Sequence, residues 1–320
     1  MDSQPANSQQ PAAKSPSLKE KIREFYDKQY FMLMLIPIIM VILAAGFVSY
    51  KYFTTGDLFN KDISLKGGVT LTVPLEKPVD IKKFSASLEN ELKGRQINVR
   101  DLSSGIRQVG VIIEADIDGN NKQEVDNFIS SVEKSLGFNI KEKYSLEFFG
   151  SALGSRFFRE TMWALLLAFI AMAVTVIIYF RQAIPSLAVI AAAFGDIVIT
   201  LAIVNIIGMR IGTAGIAAFL MLIGYSVDTD MLLTTRVLKR KEGTVFDRVL
   251  DSVKTGMKMT LTTIFAVIVG LIFITSSTIK EIMIIILIGL IIDMLTTWFM
   301  NVGILRIYVE RKSGKTKTQA

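Results

Sequence analysis

Six stretches of about 20 largely apolar residues set the terms for this chain, near residues 30–50, 160–180, 184–208, 213–235, 259–278 and 282–305. At ~1.5 Å per residue, a helix of that length crosses a hydrocarbon core of ~30 Å. Of the 320 residues 51% are hydrophobic and the mean hydropathy is +0.46, too apolar for a soluble domain of this size. An α-helical membrane protein with six transmembrane helices is predicted. The first stretch, FMLMLIPIIMVILAAGFVSYKYF, exceeds the usual apolar core of a signal peptide and has no small-residue cleavage site before Tyr50, Lys51 and Tyr52, so it reads as an uncleaved anchor. The polar, proline-containing residues before it have nothing to bury and are expected to form a largely disordered tail, 1–29.

Orientation follows from the cations in short loops. Lys14, Lys19, Lys21, Arg23 and Lys28 precede the first span, and Arg181 follows the second. Arg236, Lys239, Arg240, Lys241, Arg248, Lys254 and Lys258 follow the fourth, with Arg306, Arg311, Lys312, Lys315 and Lys317 at the C-terminal end. The short loops on the opposite side hold Arg210 and Lys280. Both termini are therefore placed in the cytoplasm, with a cytoplasmic tail at 306–320. The same distribution accounts for the net charge of +7: the excess sits where anionic lipid headgroups attract it, which favours membrane lipid over nucleic acid as a partner.

Between the first span (30–53) and the remaining five (158–305) lies a segment, 54–157, that this orientation puts outside the cytoplasm. VTLTVPL (69–75) alternates as a strand does, and 79–94 carries Ile81, Phe84, Leu88 and Leu92 at helical spacing. Strands follow at 96–102 and 108–117 around a turn at SSG, then a helix at 120–137 and a strand at 138–149. This β-α-β-β-α-β order predicts a ferredoxin-like α+β domain. Its residues suggest a scaffold that binds polypeptide or a partner subunit rather than an enzyme.

Four aspartates fall within spans: Asp196, Asp228, Asp230 and Asp293. A carboxylate near a helix centre costs about 2.5–3.5 kcal/mol on insertion scales. Asp196 and Asp293 lie near mid-span; Asp228 and Asp230 lie nearer the cytoplasmic end, with Arg236 beyond. One reading makes the first two polar glue between helices and lets the second two pair with Arg236 or reach water. The other makes all four line an internal path for protons or cations, with Asp228 and Asp230 weighing more than Asp293. Small residues at 191–193, Gly195 and Gly224 would admit close helix contact. With no histidine, a proton relay has only carboxylates and water to run on. With no cysteine there is no thiolate metal site, and no metal or cofactor is expected. SGKT (313–316) resembles a phosphate loop, but Val309 stands where a glycine is required, which excludes an ATPase on this motif.

GYSVDTDMLLTTR (224–236), with Gly224, Tyr225 and Ser226 leading, resembles the fourth-helix signature of the SecD/SecF family of paired protein-export membrane subunits. DISLKGGVTLTV (62–73), with Gly67 and Gly68, resembles the family's Asp-aromatic-x-Gly-Gly segment. FFGSALGSRFF (148–158) resembles its Gly-x-x-Leu-Gly segment. An outer domain of about this length points to the SecF branch, and the divergence to an archaeal member. The resemblance implies an accessory role in Sec-dependent export, driven by the proton gradient, with a SecD-like subunit, the Sec translocation channel and the translocating polypeptide as partners. A half-sized transporter of small amphiphiles from the wider resistance-nodulation-division superfamily is the alternative. In bacterial members the motif's Asp precedes the Arg by seven residues; here Thr229 occupies that position. Asp228 and Asp230 flank it, each rotated from Arg236 by roughly 80–120° around the helix.

Overall fold

The computed structural model describes residues 29–318 except 76, 93, 94, 96, 105, 106, 141–143, 241 and 275. The expected tail with its cations, up to residue 28, lies outside the described residues, as do Gly105 of the predicted turn, 141–143 of the predicted last strand, and Lys241.

Among the described residues, six helices are long and apolar enough to cross a membrane. α1 (Tyr30–Thr55) leads through the single-turn α2 (Ile63–Lys66) into the soluble domain. The domain comprises β1 (Gly68–Pro74), α3 (Ile81–Glu91), β2 (Ile97–Ser104), β3 (Arg107–Ala115), α4 (Lys122–Leu136) and β4 (Ser145–Phe149). The chain then returns through α5 (Ser151–Phe180), α6 (Ala183–Ile206), α7 (Thr213–Lys239) and α8 (Val245–Phe273). The last rod joins α9 (Ser277–Leu295), a π-helical turn (Thr296–Asn301) and α10 (Val302–Thr318).

The sheet order is β2-β3-β1-β4 with every neighbour antiparallel, the arrangement of the split βαβ unit. Period-2 alternation decides its faces. Val69, Leu71 and Val73 register against Ala115, Ile113 and Val111, and all six are buried with Phe84 and Leu88 of α3 and Val125, Phe128 and Val132 of α4. Each such burial contributes roughly 1.5–3 kcal/mol. Side-chain caps start both helices: Asp80 accepts from the amides of Lys82 and Lys83, and Asn121 from those of Gln123 and Glu124. The opposite face of the sheet carries Thr70, Asn98, Arg100 and Glu114. The last strand is shorter than its sequence suggests. α4 ends on left-handed Gly137 (φ 76°), and the amide of Ile140 donates to the Glu133 carboxylate at 3.0 Å instead of joining the ladder.

The membrane helices form two tiers. About half of the apolar core of α6, of α7 and of the α9–α10 rod is buried, against 17% or less for α1, α5 and α8. The outer three present apolar faces such as Leu43, Leu167 and Phe265. Several helices begin before their apolar runs do. α5 starts at Ser151, and α8 starts at Val245 behind its N-cap Thr244, whose hydroxyl and the Asp247 side chain form a reciprocal capping box. Hydropathy misses these turns because they are polar. Consequently the connection after α7 shrinks to 240–244, and Arg248, Lys254 and Lys258 lie on α8 rather than in a loop. The rod likewise continues in helical form well into the segment read as a tail.

Two of the glycine-bearing motifs meet at one crossing. A Cβ on Gly154 would sit 2.9 Å from the amide nitrogen of Gly67, so α5 passes the Leu65–Gly67 backbone in direct contact. Gly67 (φ 89°) and Gly68 (φ 141°) adopt conformations that disfavour any side chain, and a Cβ on Gly68 would lie 2.6 Å from the Ala115 carbonyl oxygen.

Candidate functional site

The inner helices bring three carboxyls together. α6 supplies Asp196, α7 supplies Asp230 and α9 supplies Asp293, each 0% exposed. The π-helical turn supplies much of their hydrogen bonding. An i→i+5 turn widens the helix and re-aims the side chains that follow. Here Thr296, Thr297 and Asn301 all turn inward and are fully buried.

Asp196 accepts from the hydroxyls of Ser226 on α7 and Thr296 on the π turn. Asp293 accepts from Thr229 Oγ1 through Oδ2 and from Thr297 Oγ1 through Oδ1, both at 3.1 Å. Asp230 Oδ1 lies 2.9 Å from Thr297 Oγ1 and accepts from Asn301 Nδ2 at 2.7 Å. Its Oδ2 is buried without a partner. Thr296 Oγ1, which bonds Asp196, also lies 3.2 Å from the Asp293 carbonyl oxygen and so joins Asp196 to α9.

Hydroxyl chemistry constrains this cluster. Thr297 has one proton to donate yet stands beside two carboxyls, so it bonds both only by donating to one and accepting from the other in its protonated form. Among the described residues no Lys or Arg forms an ion pair with any of the three. The three carboxyls are therefore held by hydroxyl and amide donors alone among the described residues. Among the described residues no group of three or more His, Cys, Asp or Glu has metal-holding geometry.

The remaining sequence candidates lie outside the cluster. Asp228 points off the bundle and is exposed, as are Gly224 and Tyr225 one turn earlier. Gly224 has no atom within 4 Å of where its Cβ would stand, so it does not mediate the close helix contact expected of it. That role falls to Gly289 against Leu222, Gly256 against Trp298 and Gly195 against Val41. Arg236 Nη1 donates to the Asp251 carbonyl and to Thr255 Oγ1, both at 2.8 Å, which fastens α7 to α8 and leaves Asp230 without it. Asp230 is enclosed rather than wetted at the helix end, because α7 runs on to Lys239. Of the Gly-Tyr-Ser triplet, only Ser226 touches the cluster. Sequence reasoning missed Asn301 and the π turn. The spacing of Asp293, Thr297 and Asn301 at every fourth residue places them on one face and was the signal available.

Residues 129–311 match the family model described as protein export membrane protein SecD/SecF, C-terminal. Curated relatives include the protein-export membrane protein SecF of Pyrococcus furiosus, 34% identical over 302 residues, covering 93% of this chain and 97% of the relative. SecF of Methanothermobacter thermautotrophicus is 36% identical, with 89% and 95% covered. That of Methanolacinia petrolearia is 37% identical, with 88% and 94% covered. Among solved structures, SecDF from Thermus thermophilus, a translocon-associated membrane protein, superposes with a TM-score of 0.66 at 19% identity. The superposition covers 89% of this chain but only 38% of that one.

Proposed function

The chain belongs to the SecD/SecF family of protein-export membrane proteins, and from that premise we propose that it is a SecF-type accessory subunit of Sec-dependent export, driven by protons passing through the Asp196–Asp230–Asp293 cluster. The observation that carries the coupling is Thr297, whose single hydroxyl sits between Asp230 and Asp293 at 2.9 and 3.1 Å. Transfer of a proton from one carboxyl to the other reverses the direction in which this hydroxyl bonds, so proton occupancy and the contacts between α7 and α9 are linked.

A SecD-like subunit completes the membrane assembly in this reading. The chain's coverage of only 38% of the solved SecDF chain fits a partner that supplies the rest. The protein sits in the cytoplasmic membrane with both termini inside and the 54–157 domain outside, near the Sec channel and the emerging polypeptide. The cation-rich ends of α7 and the rod then face the anionic leaflet. It is not an enzyme: the work is mechanical and the chemistry is proton transfer.

The test is export of a secreted precursor in cells carrying single Asp→Asn variants at 196, 230 and 293, with and without collapse of the proton gradient. Export that slows in the variants and no longer responds to the gradient supports the reading. Wild-type export in all three overturns it. Copurification with a longer paralogue and a channel separates it from a half-sized transporter, which would instead move small amphiphiles alone.

A further inference from the structure

The connection between α6 and α7 is built into a polar joint. Its Ile211 amide donates to the Asn60 carbonyl at 2.8 Å, and the Asp62 amide donates to the Ile211 carbonyl at 3.0 Å, so residues 60–62 pair with it as a short parallel bridge. Arg210 Nη2 donates to the carbonyl of Ile97 at the start of β2, at 3.2 Å. On the membrane side the Gly212 amide donates to Glu281 Oε1 at 2.8 Å. Glu281 is only 7% exposed. It stands at the outer end of α9, the helix that bears Asp293, and caps the first turn of α7, the helix that bears Asp230.

The fit around this contact leaves no slack. A Cβ on Gly215 would lie 2.3 Å from Glu281 Oε1, and one on Gly212 would lie 3.0 Å from Ser64 Oγ and 3.3 Å from Asp62 Oδ2. Asp62 in turn is 3.7 Å from the Arg100 guanidinium, which also pairs with the buried Glu114 on the uncovered face of the sheet. A polar line therefore runs from β3 through Arg100 and Asp62 to Ser64, whose hydroxyl donates to Asp62 Oδ2 and accepts from the Thr213 amide, both at 3.4 Å, next to the Gly212 amide that holds Glu281.

We propose that Glu281 is a positioning residue that ties the outer ends of α7 and α9 to each other and to the 60–64 segment, so that a change at Asp230 or Asp293 is passed to the soluble domain. The distance from Glu281 to Asp293 is about 18 Å along α9, well beyond direct electrostatic contact in a hydrated joint. Transmission then needs rigid elements with a shared anchor, and this hydrogen-bonded carboxylate is that anchor. Its consequence for export rests on the function proposed above; the joint itself does not.

Hydrogen–deuterium exchange on the full chain in lipid nanodiscs tests it. Asp293→Asn in an otherwise native chain is expected to change exchange of the 60–64 and 207–215 amides by about fivefold, the factor carried by one hydrogen bond. In Glu281→Ala that remote response disappears, whereas Glu281→Gln, whose amide oxygen still accepts from Gly212, retains it. Gly215→Ala displaces the carboxylate without deleting it and is expected to behave as Glu281→Ala does, which keeps the test intact if the latter folds poorly. An Asp293→Asn response absent at 60–64, or one that persists in both Glu281→Ala and Gly215→Ala, overturns the proposal. If the joint responds as expected while Glu281→Ala exports at the wild-type rate, the joint stands and its role in export falls, whereas wild-type export in all three Asp→Asn variants overturns the function itself.

Discussion

The hydroxyl of Thr229 lies 3.1 Å from a carboxyl oxygen of Asp293. Thr229 occupies the position where the family resemblance places an aspartate, and the structure brings a carboxyl there from the neighbouring helix. Thr229→Val removes a donor to a buried carboxyl and leaves the volume nearly unchanged, at a cost of about 1.5–3 kcal/mol. Export of a secreted precursor is expected to fall roughly tenfold or more in Thr229→Val, while Thr229→Ser stays near wild type. Equal rates for the two would show that the hydroxyl is not used.

The three clustered carboxyls are expected to behave alike, and Asp228 differently. Asp230→Asn and Asp293→Asn each disrupt the Thr297 bridge, and Asp196→Asn disrupts the link between Ser226 and Thr296. Asp228→Asn touches none of these contacts. Pulse-chase export should therefore show comparable losses at 196, 230 and 293 and a smaller one at 228. An Asp228→Asn defect larger than that of Asp293→Asn would contradict this ordering.

This ordering shows where the sequence was readable and where it was not. Six spans, the β-α-β-β-α-β order and the intramembrane aspartates all follow from hydropathy, period-2 alternation and the cost of charge in lipid. Which aspartates converge depends on helix rotation and on neighbours far away in the chain. Asp228 and Asp230 are two residues apart, about 200° around a helix, so one had to point away from the interior whenever the other pointed in. The π turn was illegible for a related reason: TTWFMN carries no breaker, and its Trp298 packs against Gly256 of α8, a neighbour far away in the chain. Arg236 looked like the partner of these carboxyls by proximity in sequence, yet its guanidinium reaches the backbone and a hydroxyl of α8 instead.

That placement gives Arg236 a structural role. Arg236→Gln is expected to lower the melting temperature of the detergent-solubilised protein by loosening α7 from α8, at a cost of about 1.5–3 kcal/mol for two charge-assisted hydrogen bonds in part-buried surroundings. The dependence of export on the proton gradient should survive in the fraction that remains folded. Loss of that dependence at unchanged stability would put Arg236 back into the proton path.

Gly256 is the tightest small-residue contact beside the cluster: a Cβ there would lie 2.2 Å from the Trp298 ring. Gly256→Ala must displace that ring, and overpacking of this kind costs about 1–3 kcal/mol. Trp163, the other of the chain's two tryptophans, is exposed on α5, so Trp163→Phe leaves Trp298 as the sole indole. In that background Gly256→Ala is expected to red-shift the emission and slow export together. An unchanged spectrum would mean that the ring does not pack as described.

The outward face of α7 leads to the last prediction. Ala217, Met221, Gly224 and Asp228 form an exposed stripe at helical spacing, in a bundle whose other outward faces are apolar. A carboxylate left against lipid costs about 2.5–3.5 kcal/mol, so a partner helix that brings a donor or a cation is favoured there. Gly224, with no atom within 4 Å of its missing Cβ, lets that helix come close. Because the chain has no cysteine, single introduced thiols report without background. Gly224→Cys is expected to cross-link to a cysteine in a membrane helix of the SecD-like partner. Leu167→Cys and Phe265→Cys, on the lipid-facing sides of α5 and α8, are expected not to. Cross-linking that is equally weak at all three positions would place the partner on another face and leave Asp228 without a covering helix.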